Sequence, residues 1–406
     1  MTDTILWGSE LSPYTLKIQA LLEYAKVPYR LLPANGKRIE NLQIQARLEL
    51  AKHKGNVSRF PVMSDLDEYP LVPYLTEDCR HFQFDSTAIA HWLDSKRERG
   101  TSNNVNSGFF PKHPTLHFLA TLIDDAMDEF GLYMVHHMRW VTSATTNNAG
   151  ARLAREFKHI LPTGARWLVA KQFSERQAYR LPYLFSVAPE GSRWRVKESL
   201  QPPSIDYWPE THNILDNAWG MYLSAMESLL AKQPYAMGNQ FTIADASIYG
   251  QLSMNLKDPS AAGLLKRTAP LTFDWLCAIR DGQHVLDNAV GCETTMTSEI
   301  SLSPETIAAL KPLLDIIMQT YSSLMAQNSS AYDSYEKGGQ TVFNEKAFDQ
   351  RKALYDGELM GHPFRSVVKT FQVRVWQDIC NTWGALKTED RDVLKLFVTD
   401  WELFER

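Results

Sequence analysis

The sequence predicts an α/β domain at the N-terminus, followed by an all-helical domain and a helical C-terminal extension. Three observations support this prediction. Short strand-like runs alternate with helical periodicity over the first hundred residues, only helical periodicity follows from Pro114 onward, and a polar stretch of small residues at 99–108 separates the two regions. We place the domain boundaries at residues 1–100, 112–285 and 286–406.

The first domain opens with a strand, a helix and a second strand. Thr4–Trp7 and Tyr29–Leu32 are short apolar runs typical of strands. Between them, apolar residues recur from Ile18 to Ala25 at the spacing of one buried helix face. Pro13 suits the first turn of that helix, where its missing N–H is not needed. This order is a βαβ unit.

Two further strands and a helix complete the domain. Leu71–Leu75 and His81–Phe84 have the pattern of paired strands. Ser86 is then expected to cap a helix whose inward side carries Ile89 and Leu93. The order strand, helix, strand, insertion, strand, strand, helix predicts a thioredoxin-like fold.

Two motifs in this domain stand at a defined distance from each other. Leu11-Ser12-Pro13-Tyr14 opens the first helix, and Val72-Pro73 is followed thirteen positions later by Ser86 within Phe84-Asp85-Ser86-Thr87. A third motif lies far downstream at 238–245, where Gly-Asn-Gln-Phe-Thr-Ile-Ala-Asp contains a capping box. In this order, the three motifs resemble the cytosolic glutathione S-transferase family, with a serine-type N-terminal motif. The helices beyond Asp281 are similar to the C-terminal extension of longer bacterial-type members. The specific resemblance covers roughly residues 1–285.

The resemblance implies that Ser12 is the catalytic residue and that glutathione is the co-substrate. A free thiol has a pKa near 8.5, so a drop of roughly two units, or about 2.7 kcal/mol, makes the thiolate the major form at pH 7. The Ser12 hydroxyl would donate a hydrogen bond to the glutathione sulfur. It would do so at the N-terminus of a helix, where the free N–H groups and the dipole favour an anion.

The same resemblance implies how the rest of the tripeptide is held. A cis bond before Pro73 would turn the backbone groups of Val72 toward the cysteinyl part of glutathione, which pairs with them like an added strand. Asp85 would bind the α-ammonium of the γ-glutamyl residue. The hydroxyl and N–H of Ser86 would bind its carboxylate at a helix start.

Each of these residues also has a purely structural explanation. Ser12 can be only an N-cap, Asp85 and Ser86 only a cap pair, and Pro73 an ordinary turn or edge-strand proline. A chain can also keep this fold and lose the chemistry. The register of the motifs favours the glutathione site over these alternatives.

The insertion between the two halves of the first domain is longer than the resemblance leads us to expect. Ser12 and Pro73 are 61 positions apart. In the family, this region helps to hold the glycine carboxylate of glutathione. The available donors are Lys37, Arg38, Arg47 and Arg59. No spacing selects one of them, so that contact stays unassigned, and a solvated basic face explains them equally well.

Composition is typical of a large globular protein and argues against several classes. The chain has 406 residues, 44% of them hydrophobic and 22% charged, with a net charge of −5. The basic residues form no cluster of the kind that binds nucleic acid. No signal sequence or membrane-spanning run is present, so we expect a cytoplasmic protein without a membrane partner. The four cysteines lack C-x-x-C and metal-ligand spacing, which predicts reduced thiols and no structural zinc.

Four carboxylates and two histidines lie close together on the helix that begins at Pro114. They are Asp124, Asp125, Asp128, Glu129, His136 and His137. Asp124 and Asp128 share one helix face. The group lacks the Glu-x-x-His pairs that build metal sites in helical bundles, so we expect no metal. We expect solvated or interface polar residues, with Arg139 closing an ion pair.

Two later segments are less specific. The stretch 179–209, rich in proline and aromatic residues, is expected to form a hairpin or a long loop beside the cleft. Beyond Asp281 the chain continues with a strong helix from Ser303-Pro304, a polar segment and two more helices. This extension contains no nucleophile, phosphate loop or metal spacing. It is expected to pack on the second domain.

The function that the resemblance implies is glutathione transfer to a small hydrophobic electrophile, as in detoxification, by a homodimer. Two alternatives remain open: a non-catalytic scaffold or ligand-binding protein, and a glutathione-dependent lyase or ether-cleaving enzyme. A serine at position 12, where disulfide exchange needs a cysteine nucleophile, argues against glutaredoxin-type chemistry.

Overall fold

The computed structural model describes residues 4–58, 72–99, 108–185, 211–284 and 303–405. Its N-terminal domain is built on a five-stranded sheet with the strand order β2-β1-β4-β5-β3. The strands are β1 (Thr4–Trp7), β2 (Tyr29–Leu32), β3 (Val57–Ser58), β4 (Tyr74–Thr76) and β5 (Phe82–Phe84). β1 is parallel to β2 and antiparallel to β4, and β5 is antiparallel to β4 and parallel to β3.

Three helices complete this domain: α1 (Pro13–Tyr24), α2 (Arg38–Lys54) and α3 (Ser86–Arg99). The predicted βαβ unit and the following antiparallel strands are confirmed, and the domain has the thioredoxin-like fold. Ile18, Leu21 and Leu22 are fully buried, as the periodicity of α1 predicts. The insertion contains α2 and the short β3, while residues 59–71 lie outside the described part of the chain.

The following region is helical. It contains α4 (Pro114–Ala126), α5 (Leu132–His137), α6 (Ala149–Glu156), α7 (Arg166–Leu184), α8 (Thr211–Leu230), α9 (Ile243–Ser253), α10 (Pro259–Thr268) and α11 (Pro270–Arg280). π-helical turns at Met127–Gly131 and Met138–Thr142 follow α4 and α5. The capping box of Thr242 and Asp245 is present at the start of α9. The start of the stretch predicted as a hairpin or loop, 179–184, instead belongs to α7, and 186–209 lies outside the described residues.

The extension packs on this region but is not entirely helical. Its helices are α12 (Pro304–Ile317), α13 (Ser323–Lys337), α14 (Asn344–Asp349), α15 (Thr370–Ala385) and α16 (Thr388–Phe397). A hairpin of β6 (Leu354–Leu359) and β7 (His362–Val367) corrects the prediction of helices alone. Its two-residue turn, Met360-Gly361, has positive φ at both positions, which suits the twist of a hairpin. The sequence did not predict these strands because they contain Asp356, Gly357 and Pro363, whose residue types are rare in strands.

One continuous apolar core runs from the sheet to the end of the chain. It includes Leu6 in β1, α4, and the aromatic residues of the extension. Phe118 of α4 contacts Trp383, Trp401 and Phe404, with ring centroids 5.3–5.9 Å apart. The extension therefore covers a face of α4 on which the ring of Phe118 would otherwise be exposed. Within the described ranges, no helix is both long and apolar enough to cross a bilayer.

A glycine allows α9 to approach the first turn of α1. A Cβ at Gly250 would lie 2.6 Å from the carbonyl oxygen of Pro13 and 3.1 Å from the amide nitrogen of Lys17. Both neighbours are backbone atoms, so they can move aside only if α1 shifts. The N-terminus of α1, where Ser12 lies, is therefore packed directly on α9.

Gly250→Ala is expected to lower the free energy of unfolding by about 1–3 kcal/mol, because the added methyl overpacks a backbone contact. Urea denaturation measures this change. Gly220→Ala in α8 is the matched control, since nothing lies within 4 Å of its Cβ position. That substitution should leave stability unchanged or raise it by up to about 1 kcal/mol. Equal effects of the two substitutions would contradict the close approach of α9 to α1.

Candidate functional site

The pairing of the strands brings the three segments that carry the predicted site residues to one edge of the sheet. Trp7, the last residue of β1, is paired with Tyr74, the first residue of β4, and Tyr74 is paired with Phe84, the last residue of β5. The segments that leave β1, enter β4 and leave β5 therefore lie side by side. They carry Ser12, Val72, Pro73, Asp85 and Ser86. The Val72–Pro73 peptide bond is cis, as the resemblance implies.

Ser12 is the N-cap of α1. Its backbone is extended, with φ −96° and ψ 122°, and its Oγ accepts a hydrogen bond from the Thr15 N–H at 3.4 Å. The carbonyl of Ser12 also accepts from the Thr15 and Leu16 N–H groups. The side chain is partly exposed. Because Oγ is the acceptor in the cap bond, its O–H can still donate to a ligand at the helix N-terminus.

Asp85, and not Ser86, caps α3, which corrects the sequence prediction. Its Oδ1 accepts a hydrogen bond from the Ala88 N–H at 2.8 Å, and its carbonyl accepts from the Ile89 N–H. Asp85 has φ 72°, a left-handed conformation that aspartate tolerates better than most residues. Ser86 is the first residue of α3 and is buried, whereas Asp85 is exposed. The pair therefore presents a carboxylate next to a helix N-terminus.

The structure does not single out one basic residue of the insertion as the partner of the glycine carboxylate of glutathione. Lys37 immediately precedes α2, and Arg38 and Arg47 lie on that helix with exposed side chains. Arg59 lies outside the described residues.

A buried ion cluster joins α1 to α4 next to the start of α3. The Nζ of Lys17 lies 2.5 Å from Asp124 and 2.7 Å from Asp128, and it donates to the Thr87 hydroxyl at 3.0 Å. Thr87 in turn donates to Asp124 at 2.9 Å. Ser247 of α9 also donates to Asp124. Lys17 and Asp124 are about 1% exposed, so Asp124 is not a solvated residue; it lies in a polar contact between α1 and α4.

The cluster perturbs several carboxyl groups. The pKa of Asp128 is raised to about 7, chiefly by burial; the charges of Asp124 and Asp85 act in the same direction, and Lys17 acts against them. Burial and the neighbouring carboxylates also raise the pKa of Asp125 well above its usual range. For Lys17, the two carboxylates outweigh the effect of burial and raise the pKa. The hydrogen bond from Lys17 to Thr87 places the cluster next to the start of α3, where Asp85 and Ser86 lie.

The other polar residues of this region take structural roles. Arg139 is buried and pairs with Asp258 at 2.7 Å, so it does not close an ion pair with the acids of its own helix, which corrects that expectation. His137 contacts Asp216 at 2.9 Å. In the part of the chain that the structure describes, no group of three or more His, Cys, Asp or Glu residues is arranged to hold a metal ion. Cys79, Cys277 and Cys380 carry reduced thiols, and Cys292 lies outside the described residues.

Lys17→Met is expected to lower the free energy of unfolding at pH 8 by about 3–5 kcal/mol, because it leaves two carboxylates buried without their cation. In the folded wild type, the pKa of Asp128 is about 7, above its unfolded value near 3.9. Its destabilising effect is therefore absent below pH 4 and complete above pH 7. Removing Lys17 raises this pKa further, so the difference between variant and wild type should shrink as the pH falls from 8 to 5.

Urea denaturation across that pH range checks this expectation. Lys311→Met is the matched control, because Lys311 forms an exposed pair with Asp315 within α12. Its removal should change stability by less than about 0.5 kcal/mol. A Lys17→Met loss of that same small size, or one independent of pH, would contradict the account of the cluster.

The first domain is similar in sequence to a known protein family. Residues 6–101 match the family model described as glutathione S-transferase, N-terminal domain. No curated protein sequence matches the chain. Similar solved structures include a glutathione S-transferase-I bound with lactoylglutathione, with 14% identity over 69% of this chain and 98% of that chain, at a TM-score of 0.34.

Two other similar structures are glutathione S-transferases. Isozyme E7 from Drosophila melanogaster is 20% identical over 69% of this chain and 97% of its own, at a TM-score of 0.29. The glutathione S-transferase from Pseudomonas fluorescens is 15% identical over 68% of this chain and 92% of its own, also at a TM-score of 0.29. With TM-scores this low, these likenesses carry no weight for the function. The domain match and the observed topology together show a glutathione S-transferase N-terminal domain of thioredoxin-like fold, followed by a helical region.

Proposed function

We propose that the chain is a glutathione S-transferase, which binds reduced glutathione at the sheet edge described above and activates its thiol for attack on a small hydrophobic electrophile. One observation carries this proposal. The pairing of Trp7, Tyr74 and Phe84 places the Ser12 loop, the cis Val72–Pro73 bond and the start of α3 side by side. Neither a helix cap nor a turn proline requires that juxtaposition.

Ser12 would supply the activation. Its hydroxyl is at the N-terminus of α1, so a thiolate there accepts a hydrogen bond and benefits from the helix dipole. Stabilising the thiolate by about 2.7 kcal/mol relative to the thiol lowers its pKa by roughly two units. The electrophile, held against the helical region, would then be attacked by a sulfur that is already oriented.

The remaining site residues would hold the tripeptide. The N–H and C=O of Val72, next to the cis-proline, offer the backbone pairing of an added strand. The N-terminus of α3 at Ser86 favours the γ-glutamyl carboxylate, and the Asp85 carboxylate favours the ammonium.

The cytoplasmic location, a role in detoxification and the homodimer belong to this proposal as well. Phe118 and neighbouring residues of α4 are fully buried within one chain, under Trp383 and Trp401 of the extension. A second copy would therefore bind a surface other than this covered face of α4.

Ser12→Ala is expected to lower kcat/KM for glutathione conjugation at least tenfold, because the thiolate loses its hydrogen-bond donor. The measurement is a steady-state assay with a chromogenic electrophile at pH 7. The substitution also removes an N-cap, which is worth about 1 kcal/mol of stability.

Ser303→Ala provides the matched control for the loss of the cap. Ser303 precedes Pro304 and caps α12 by accepting from the Thr306 N–H at 3.1 Å, far along the chain from the site. It should lose a similar amount of stability and keep full activity. If Ser12→Ala keeps full activity too, Ser12 has no part in the mechanism. A wild type that binds glutathione without turnover would support the scaffold alternative.

Asp85→Asn is expected to weaken the binding of reduced glutathione at least tenfold, a loss of about 1.4 kcal/mol. Asparagine keeps the cap of α3 and tolerates the positive φ, so the substitution removes only the charge. Isothermal titration calorimetry measures the dissociation constant. Glu49→Gln, which neutralises an exposed carboxylate on α2, should leave it unchanged. Equal affinities of all three proteins would remove Asp85 from the site.

A further inference from the structure

The loop that carries Ser12 belongs to the first domain in sequence but is held by the helical region. Leu11, the residue before Ser12, is buried in an apolar cluster with Trp140 and Ala149. Both partners lie beyond α5, in the π-helical turn Met138–Thr142 and in α6. The side chain of Leu11, next to Ser12, is therefore enclosed by residues of the helical region.

The N–H of Leu11 is held through a side-chain relay. It donates to the Oγ of Ser9 at 3.1 Å. Ser9 is 4% exposed and donates its own hydroxyl to the Oε2 of Glu156 at 2.5 Å. Glu156 is the last residue of α6, so a carboxylate of the helical region holds the loop through the hydroxyl of Ser9.

The C=O of Leu11 is held from the same region. It accepts a hydrogen bond from an Nη of Arg139 at 3.4 Å. The guanidinium is itself fixed, because Nε donates to Asp258 at 2.7 Å and the other Nη donates to the Met254 carbonyl at 2.7 Å. Arg152 donates to the second oxygen of Asp258. Arg139 is 2% exposed and cannot exchange these partners for water.

We infer that Glu156 and Arg139 are positioning residues for Ser12. Through Ser9 and Leu11 they fix the backbone from which the Ser12 hydroxyl is presented. This inference rests on the proposed function, because it concerns the direction in which Ser12 donates to the glutathione sulfur. A hydrogen bond weakens steeply as its geometry departs from linearity, so a small displacement of the loop reduces the stabilisation of the thiolate.

The helical region thus contributes to the thiol chemistry without touching glutathione. The residues proposed to hold the tripeptide, Val72, Asp85 and Ser86, stand on other segments of the sheet edge. Loss of the relay should therefore affect the pKa of the bound thiol more than the affinity for glutathione. A merely structural role would instead affect stability alone.

The test uses Ser9→Ala and Glu156→Leu, since removing Arg139 leaves the buried Asp258 short of its main partner and endangers folding. The pKa of the glutathione thiol bound to each variant is measured from the ultraviolet absorbance of the thiolate. We expect it to rise by about 1 in both variants, with a roughly tenfold lower kcat/KM at pH 7. The dissociation constant of glutathione should change less than about threefold. Glu156→Gln, which can still accept from Ser9, should recover part of the loss.

The matched control is Lys257→Ala. Lys257 pairs with Glu10 and joins the same loop to the same region, but both side chains are more than a third exposed. It should leave the thiol pKa and the rate unchanged. If Ser12→Ala raises the thiol pKa while Ser9→Ala and Glu156→Leu do not, the positioning role is overturned and the proposed function stands. If Ser12→Ala itself leaves the thiol pKa unchanged, the proposed role of Ser12 fails, and the positioning role fails with it.

Discussion

The packing of the N-terminal domain on the helical region depends on the buried ion pairs of Lys17 with Asp124 and Asp128. Lys17 lies on α1, directly behind the helix N-terminus that bears Ser12, and its ammonium pairs with Asp124 and Asp128 of the helical region. Isolated charges are costly to bury, so the loss of any one of the three groups weakens the packing of α1 on α4. The hydrogen bond of Lys17 to Thr87 extends the same constraint to the start of α3. One cation thereby fixes the relation between two of the three segments that form the candidate site.

A second set of contacts fixes the loop between β1 and α1. Leu11 has its side chain, its N–H and its C=O held by residues of the helical region or through Ser9. Gly250 lets α9 reach the backbone of the first turn of α1. The N-terminal domain supplies the proposed glutathione contacts, and the helical region determines where the N-terminus of α1 lies.

Much of the first domain could be predicted from the sequence, because strand and helix periodicities differ and because Pro13 and Pro73 stand at informative positions. The Lys17 cluster was not predicted, although a signal existed. Lys17 precedes Leu21 by four positions and so shares the buried face of α1, which requires an acidic partner. Asp124 and Asp128 offered one, but sequence periodicity does not pair residues of distant helices. The sequence predicts the cap of α3 at Ser86, whereas Asp85 forms it from a left-handed backbone conformation. The β6–β7 hairpin was missed because Asp356, Gly357 and Pro363 are of types that are rare in strands.

The central claim is that the Ser12 loop, the cis Val72–Pro73 segment and the start of α3 form a single glutathione site. A crystal structure of the complex with reduced glutathione tests it most directly. The account predicts the sulfur within hydrogen-bond distance of the Ser12 Oγ, the cysteinyl backbone paired with Val72, and the γ-glutamyl group at Asp85 and Ser86. Glutathione bound elsewhere, or bound here with its sulfur directed away from Ser12, would contradict it.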